Sequence, residues 1–476
     1  MSSHSSASPV PVPSRIALSL GACAVVLSGN ALALNPSKGV YRIPYSDGTQ
    51  VKVTNDHIKH SPPGRIDMGG SGGGTYKIVA AADGTVRHVV DGFSAKIPTC
   101  KGIPADQKKN NYVWIEHANG EWTKYTHMVK GSSSGKAKLK VGQFVSAGTY
   151  LGDEGDVGCA DGDHLHFEVG VPKASDGITS VGGFLTDNDD SKRNRIPRIC
   201  GIDDGRFVSG ESYEARKVPG NLKSGAKEVA RHGVPARDYQ CLFDQAVNAG
   251  YALEWVDGFD VDGKVYYNAV FRPKGAATAA FHGLSGAQYQ QRFDEYTGKG
   301  YRPYQVDSYG GSGGAHYAAI FRKQSGPAYK AYHGLPADQH QQHMDTWTAD
   351  GYRPRNVSVV SSGGQRRYSA IYEKADIGSW QAKSQLTAAE YQQAFDDNAK
   401  QKRHLVYVNA YMHGGQPQFS AIWSSKASGS YKARHGLTSA QYQNEWESSS
   451  GAGLPTRDVT GYSTGGSARY AAIWRK

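Results

Sequence analysis

His164-Leu165-His166 places two imidazoles two residues apart. On a β-strand alternate side chains share a face, so these rings stand roughly 6–7 Å apart. One can then bind a metal while the other reaches the water beside it. Taken alone the pair means little, because the chain holds 17 histidines and a strand with two surface histidines fits equally well. Further histidines and carboxylates stand upstream of the pair. A catalytic zinc takes three protein ligands from His, Asp or Glu and keeps one position for water. Hydrolysing an amide also needs a group that takes the water's proton and returns one to the leaving amine. Histidine titrates in that range, so no glutamate base of the H-E-x-x-H kind is required, and none is present.

The elements that must position these side chains read as antiparallel β from Tyr76 to Val171. Ile78–Ala81 and Thr85–Val90 flank Asp83-Gly84, and Asn111–His117 and Glu121–His127 flank Asn119-Gly120, both hairpin-type turns. Leu165, Phe167 and Val169 alternate with His164, His166 and Glu168, which puts apolar and polar residues on opposite faces of one strand. A Gly-rich turn, Gly155–Asp163, leads into that strand.

In chain order the motifs are His60…Asp67, Tyr125-Thr126-His127, Val141-Gly142-Gln143-Phe144-Val145-Ser146-Ala147-Gly148, and His164-Leu165-His166-Phe167. This string resembles the lysostaphin-like zinc metallopeptidases, the group that includes the LytM and beta-lytic enzymes, over roughly residues 55–172. The resemblance implies a mainly β catalytic domain with zinc held by His60, Asp67 and His166. His127 and His164 then face the open side of the metal as catalytic groups. It also implies cleavage of bacterial cell-wall peptidoglycan at glycine-containing crosslinks. Many relatives space the first histidine four residues before the aspartate. Here His60 precedes Asp67 by seven and His57 by ten, so His57 is the alternative ligand. His88 and His117 read as structural, and Glu168 as either a solvated strand residue or a support for the metal ligands.

Residues 1–33 read as a signal peptide: the apolar run Ile16–Leu27 is too short to span a bilayer, and Ala31-Leu32-Ala33 offers a cleavage site. Cys23 as a lipoprotein acceptor is the weaker reading. A secreted chain, extracellular or periplasmic, keeps Cys100, Cys159, Cys200 and Cys241, an even number that reads as disulfides. Of the three possible pairings, Cys100–Cys159 would tie two loops beside the metal site, and Cys200–Cys241 would join the two halves of the chain. The formal charge of +11 favours anionic polymers. Export makes a bacterial wall the expected partner rather than nucleic acid, and no later segment reads as transmembrane.

Beyond about residue 228 the sequence repeats. His232-Gly233, His282-Gly283, His333-Gly334 and His435-Gly436 recur about every 50 residues or twice that, with Ser384-Gln385 in the missing register. Tyr289–Asp294 matches Tyr391–Asp396, and Tyr317–Phe321 matches Tyr470–Trp474. Each unit reads as a short helix, a Gly-Tyr stop and two strands, with the histidines at helix entry. A fixed period of this kind means stacked units, none able to bury its apolar face alone. These α+β tandem repeats resemble those that precede the catalytic domain of polyglycine hydrolases. The expected organisation is a signal peptide at 1–33, a zinc metallopeptidase domain at 34–200 and a linker at 201–227. Five repeats follow, at about 228–274, 275–325, 326–376, 377–427 and 428–476. Their role is expected to be docking on an anionic wall polymer along one long, mildly basic surface, with a rigid spacer or stabilising scaffold as the alternative. Two rivals remain. A serine hydrolase would use Ser133–Lys136 or Ser224–Lys227 as S-x-x-K, but no K-T-G follows either. A catalytically inactive lysostaphin-like fold could act as a wall-binding or regulatory protein, although all five site positions are filled.

Overall fold

The computed structural model describes residues 34–72, 74–104, 107–172, 183, 193–202, 205–217, 225–311 and 313–476. The expected signal peptide, the Cys23 alternative and Ser224 lie outside the described residues. No described helix is long and apolar enough to cross a membrane.

The N-terminal half is built on a large antiparallel sheet. Its central path runs Ser212–Glu214, Gln50–Asn55, Arg65–Gly70, Leu165–Gly170, Trp122–Thr126, Tyr112–Glu116, Gly84–Val90 and Phe144–Val145. The alternation in Leu165–Gly170 has its predicted consequence: Leu165, Phe167 and Val169 are fully buried and pack in one core with Ile66, Met68 and Tyr125. The Asn119-Gly120 hairpin forms as expected, with Gly120 at φ 81°. Asp83-Gly84 does not close a hairpin. Lys77–Val79 leaves to pair with Tyr150–Asp153, while Gly84 pairs with Val145. A Cβ on Gly84 would come within 2.4 Å of the Glu116 carbonyl, so glycine is there for a close approach between strands. Ser212–Glu214, within the expected linker, completes the sheet beside Gln50–Asn55, and Phe207 and Ala215 enter the core.

Each repeat is a three-stranded antiparallel sheet with one 13-residue helix. The first strand of each unit was not legible as one. The His-Gly pairs lie on it, ahead of the helix, and the glycine takes a positive φ where the register shifts. These histidines are not helix-entry residues but wedges between repeats. His282 packs on Tyr239 and Tyr267 of the repeat before it, His333 on Tyr289 and Tyr317, and His435 on Tyr391 and Phe419.

The stack has no free ends. His232 of the first repeat packs on Tyr442 and Tyr470 of the fifth and meets the Ser439 hydroxyl at 2.8 Å. The second strands of the five units, Tyr251–Val261, Arg302–Gly311, Arg353–Ser362, His404–His413 and Thr456–Thr464, therefore form the inner wall of a closed ring. They are joined by side chains instead of a backbone ladder. Asp307 accepts from the Gly258 amide, Ser358 from Ser308, Asn409 from Val359 and Thr460 from Ala410. Asp257 accepts from Gly461 and closes the circle. This replaces the long open surface expected from the sequence.

The first repeat is tied to the N-terminal half. Its helix, Ala236–Asn248, carries Cys241, bonded to Cys200. Around the disulfide Arg198 pairs with Asp244 at 2.6 Å, Arg216 with Asp238 at 2.9 Å, and the Asn248 amide donates to the Lys38 carbonyl.

Candidate metal centre

The strand Leu165–Gly170 sits between its two partners in a register that assembles the site. His166 lies opposite Asp67 on one side and Thr126, the residue before His127, on the other. Asp67 and His166 thus come together by strand pairing alone. His60 reaches them from the loop between Gln50–Asn55 and Arg65–Gly70. The Asp56 carboxylate accepts from the Ile58 and Lys59 amides, the His60 amide donates to the Asp56 carbonyl, and Gly64, at φ 90°, donates to the His57 carbonyl. That compact turn takes up the extra spacing between His60 and Asp67. It leaves His57 beside Asp56 and Arg206, away from the cluster.

Among the described residues, His60, Asp67 and His166 are the group whose ligand atoms all lie within 4.8 Å of one another. His60 Nε2 is 3.5 Å from Asp67 Oδ2, and His166 Nδ1 is 3.0 Å from Asp67 Oδ1. Donor atoms around a tetrahedral zinc stand roughly 3.3 Å apart, given bonds of about 2.0–2.1 Å. Two imidazoles and a carboxylate at these separations fit that ion. A carbonyl oxygen can only accept, so the 2.8 Å contact from His60 Nδ1 to the Pro62 carbonyl fixes the proton on Nδ1 and frees Nε2 as ligand.

The same argument applies to the two remaining histidines. His127 Nδ1 donates to the Val157 carbonyl at 2.7 Å and His164 Nδ1 to Gly162 at 2.8 Å. Their rings lie 4.7 Å apart, and His164 Nε2 stands 3.7 Å from Asp67 Oδ1. His127 holds φ 70°, an unusual conformation for a residue with a Cβ, braced by bonds from its amide to Asn111 and Asn110. The Cys100–Cys159 bond clamps the turn that supplies the Val157 carbonyl.

Burial pushes the His127 imidazole well below its ordinary range, helped by the cations His164 and His166 would become. Burial alone would raise Asp67, but His166, His60 and His164 outweigh it and keep the carboxylate ionised. Glu168 is a support that the strand pattern left undecided. It is 2% exposed and accepts from His166 Nε2 at 2.8 Å, with Lys124 and Arg65 at 3.3 and 3.4 Å. Burial opposes its charge, yet those cations and His166 hold its pKa well below the usual carboxylate range. The bond leaves His166 only Nδ1 for a metal and fixes the ring's orientation. Asn55 does the same for Asp67, donating to Oδ2 at 3.0 Å. Of the two readings open for Glu168 in the sequence the structure shows the support, whereas Lys124, Arg65 and Asn55 gave no signal. His117 is buried and bonded to Asp83 and Thr123, and His88 packs against Trp122, both away from the cluster.

Residues 65–176 match peptidase family M23. Residues 225–274, 275–324, 326–375, 377–426 and 428–476 match the polyglycine hydrolase-like structural repeat, which together cover just over half of the chain. No curated protein matches it. Solved structures similar to it include one titled for peptidase M23 from Pseudomonas aeruginosa, 21% identical, with 29% of this chain and 49% of that one covered and a TM-score of 0.19. The catalytic domain of lysostaphin from Staphylococcus simulans is 18% identical, with coverages of 28% and 82% and a TM-score of 0.18. The M23 metalloprotease pseudoalterin, from the deep sea, is 16% identical, with coverages of 37% and 99% and a TM-score of 0.22. The chain thus spans about half the length of the Pseudomonas protein.

Proposed function

We propose that this chain, which belongs to the polyglycine hydrolase-like repeat family and matches peptidase family M23 over residues 65–176, is a secreted zinc endopeptidase. Its substrate is bacterial cell-wall peptidoglycan, cut at glycine-containing crosslinks. The observation that carries the reading is the convergence of His60, Asp67 and His166 beside two further histidines whose free Nε2 atoms are set by carbonyl contacts.

In this reading His60 Nε2, Asp67 and His166 Nδ1 hold zinc. A zinc ion held there would supply Lewis acidity, polarising a carbonyl and lowering the pKa of water. His127, uncharged at neutral pH, accepts a proton at Nε2 and passes one to the leaving amine. His164 faces the same space and binds the developing oxyanion or shares the proton. Glu168 and Asn55 keep the ligands from turning. The two disulfides suit an oxidising compartment outside the cytoplasm. The repeat ring docks the enzyme on an anionic wall polymer and contributes no group to the reaction.

The experiment pairs metal analysis with wall lysis. The purified chain should hold about one zinc and lose lysis to a chelator. His166→Ala and Asp67→Ala should lose the metal, whereas His127→Ala should keep it and lose roughly 10²–10⁴ in turnover. Full lysis by metal-free protein would end the proposal, and loss of zinc from His127→Ala with retention in His60→Ala would redraw the ligand set. Bound zinc with no hydrolysis of any wall or peptide would leave the inactive wall-binding fold standing.

A further inference from the structure

The ring has two mouths. At one, a cavity of about 500 Å³ is lined by all five repeats. Each inner strand carries a one-residue bulge there, at Glu254, Tyr304, Arg355, Val406 and Arg457. A bulge re-aims its side chain, and all five bulge residues line the cavity. The adjacent strand of each unit places a second residue at matching register, Arg272, Arg322, Glu373, Ser424 and Arg475, of which the last three line the cavity.

These ten positions are charge-matched on one side of the mouth only. Glu254 pairs with Arg322 at 2.6 Å and Arg272 at 3.6 Å. Glu373 pairs with Arg302 and Arg355, both at 3.3 Å. Tyr304 lies between Arg322 and Arg355, 3.5 and 4.3 Å from its ring centre. On the other side the fifth repeat places Arg457 where the first has Glu254. Arg457 Nε donates to the Arg475 carbonyl at 3.2 Å. Arg475 spends one nitrogen on the Leu405 carbonyl, and its Nε is buried without a partner. Neither guanidinium has a carboxylate within ion-pair distance among the described residues. The neighbouring bulge and facing positions, Val406 and Ser424, are uncharged. Asp458 lies behind them, its carboxyl raised well above the usual range by burial, and it offsets only part of what burial and Arg457 do to Arg475. Burial and the charge of Arg457 both work against Arg475. Arg475, half-buried with its guanidinium 5.9 Å from the Tyr431 ring centre, keeps an unmet donor beside the exposed Arg457, and an anion between them would balance both charges.

We propose that this mouth is a binding site for a phosphate group, held between Arg457 and Arg475. A phosphate offers several acceptor oxygens to two guanidinium forks and can balance more than one cation, where a carboxylate balances one. Arg353, bonded to two carbonyls and lying over the Trp380 ring at 5.6 Å, adds a positive charge at the rim, where Lys426 is balanced by Asp376. The inference deepens the docking role proposed above by giving it a place and a chemistry. Binding of a soluble phosphate, however, succeeds or fails whatever the chain does on intact walls.

The test is calorimetric titration of the full zinc-loaded chain at low salt with inorganic phosphate and, separately, with a glycerol-phosphate oligomer. Arg457→Glu recreates the arrangement of Glu254 with its arginines, so it should fold with an unchanged or higher melting temperature. It should hydrolyse soluble peptide as the parent does and bind phosphate roughly tenfold more weakly or worse. Arg457→Gln serves if the glutamate variant does not fold. Lys264→Glu, the same charge change in the exposed hairpin at the far end of the Tyr251–Val261 strand, should bind as the parent. A stronger response to the oligomer marks a polymer as the ligand, and an equal response marks free phosphate. If Arg457→Glu binds as the parent, or Lys264→Glu weakens binding as much, the site does not exist.

Discussion

Closure of the repeats into a ring predicts that a methyl group added to the last repeat will be felt by the first. Gly461 lies on the inner strand of the fifth unit, and a Cβ there would come within 2.4 Å of the Phe259 ring. Gly258 is its counterpart in the first unit, where a Cβ would meet the Tyr309 ring at the same distance. Phe259 and Tyr309 are each 4% exposed and cannot swing into solvent. Overpacking of this kind costs about 1–3 kcal/mol, and Gly→Ala returns about 0.4–1 kcal/mol by stiffening the unfolded chain. The net loss should be about 1–2 kcal/mol for Gly461→Ala and for Gly258→Ala alike. In a cooperative unit of about 250 residues that is a fall of about 2–8 °C in melting temperature. Gly275→Ala, with open space around it, is the control. Scanning calorimetry of the three variants measures the shifts. In an open stack Gly461 would have no following repeat to strike. A Gly461→Ala variant that melts with the parent while Gly258→Ala falls would therefore refute the ring.

Two further outcomes are expected. Burial lowers His232, His282 and His340 to about 4, against an ordinary value near 6.5, with Arg231 adding to the effect at His232 and His343 at His340. Between those pH values the unfolded chain binds protons that the folded ring refuses. Stability is therefore full above about pH 6.5 and lost as pH falls toward 4, by a few kcal/mol in total. Urea midpoints that stay flat from pH 7 to 4 would show these rings protonated in the fold. Replacing Cys100 and Cys159 by serine should keep zinc yet lower peptide turnover by roughly 10- to 100-fold, because the turn holding the Val157 carbonyl against His127 is released. Turnover unchanged in that variant would show that the carbonyl is positioned without the disulfide.

What the sequence made legible was whatever is written in local spacing. Alternation in Leu165–Gly170 identified a strand with one apolar face, and the order of His60, Asp67, His127, His164 and His166 pointed to residues that the fold brings together. The seven-residue gap from His60 to Asp67 stayed ambiguous because its length is absorbed by a turn whose anchors, Asp56 and Gly64, only matter once it is folded. Glu168 stayed undecided between a solvated residue and a support because the period of a strand reports which face a residue takes. It does not report what covers that face, and here Lys124 and Arg65 do, arriving from two other strands.

Ring closure was illegible for a related reason. A period near 50 says that each unit needs a neighbour, but the turn per unit decides whether the fifth meets the first, and that angle is set by contacts such as His232 on Tyr470 that span nearly the whole array. Closure is also what gives the sequence differences among repeats a meaning. In an open stack Glu254 and Arg457 would be distant surface residues in unlike units. In the ring they share one register around one mouth, and the missing carboxylate in the fifth repeat becomes an unbalanced charge at a defined place. Degeneracy among the repeats is thus where function is to be sought, since positions that keep one residue type serve the packing that all five units share.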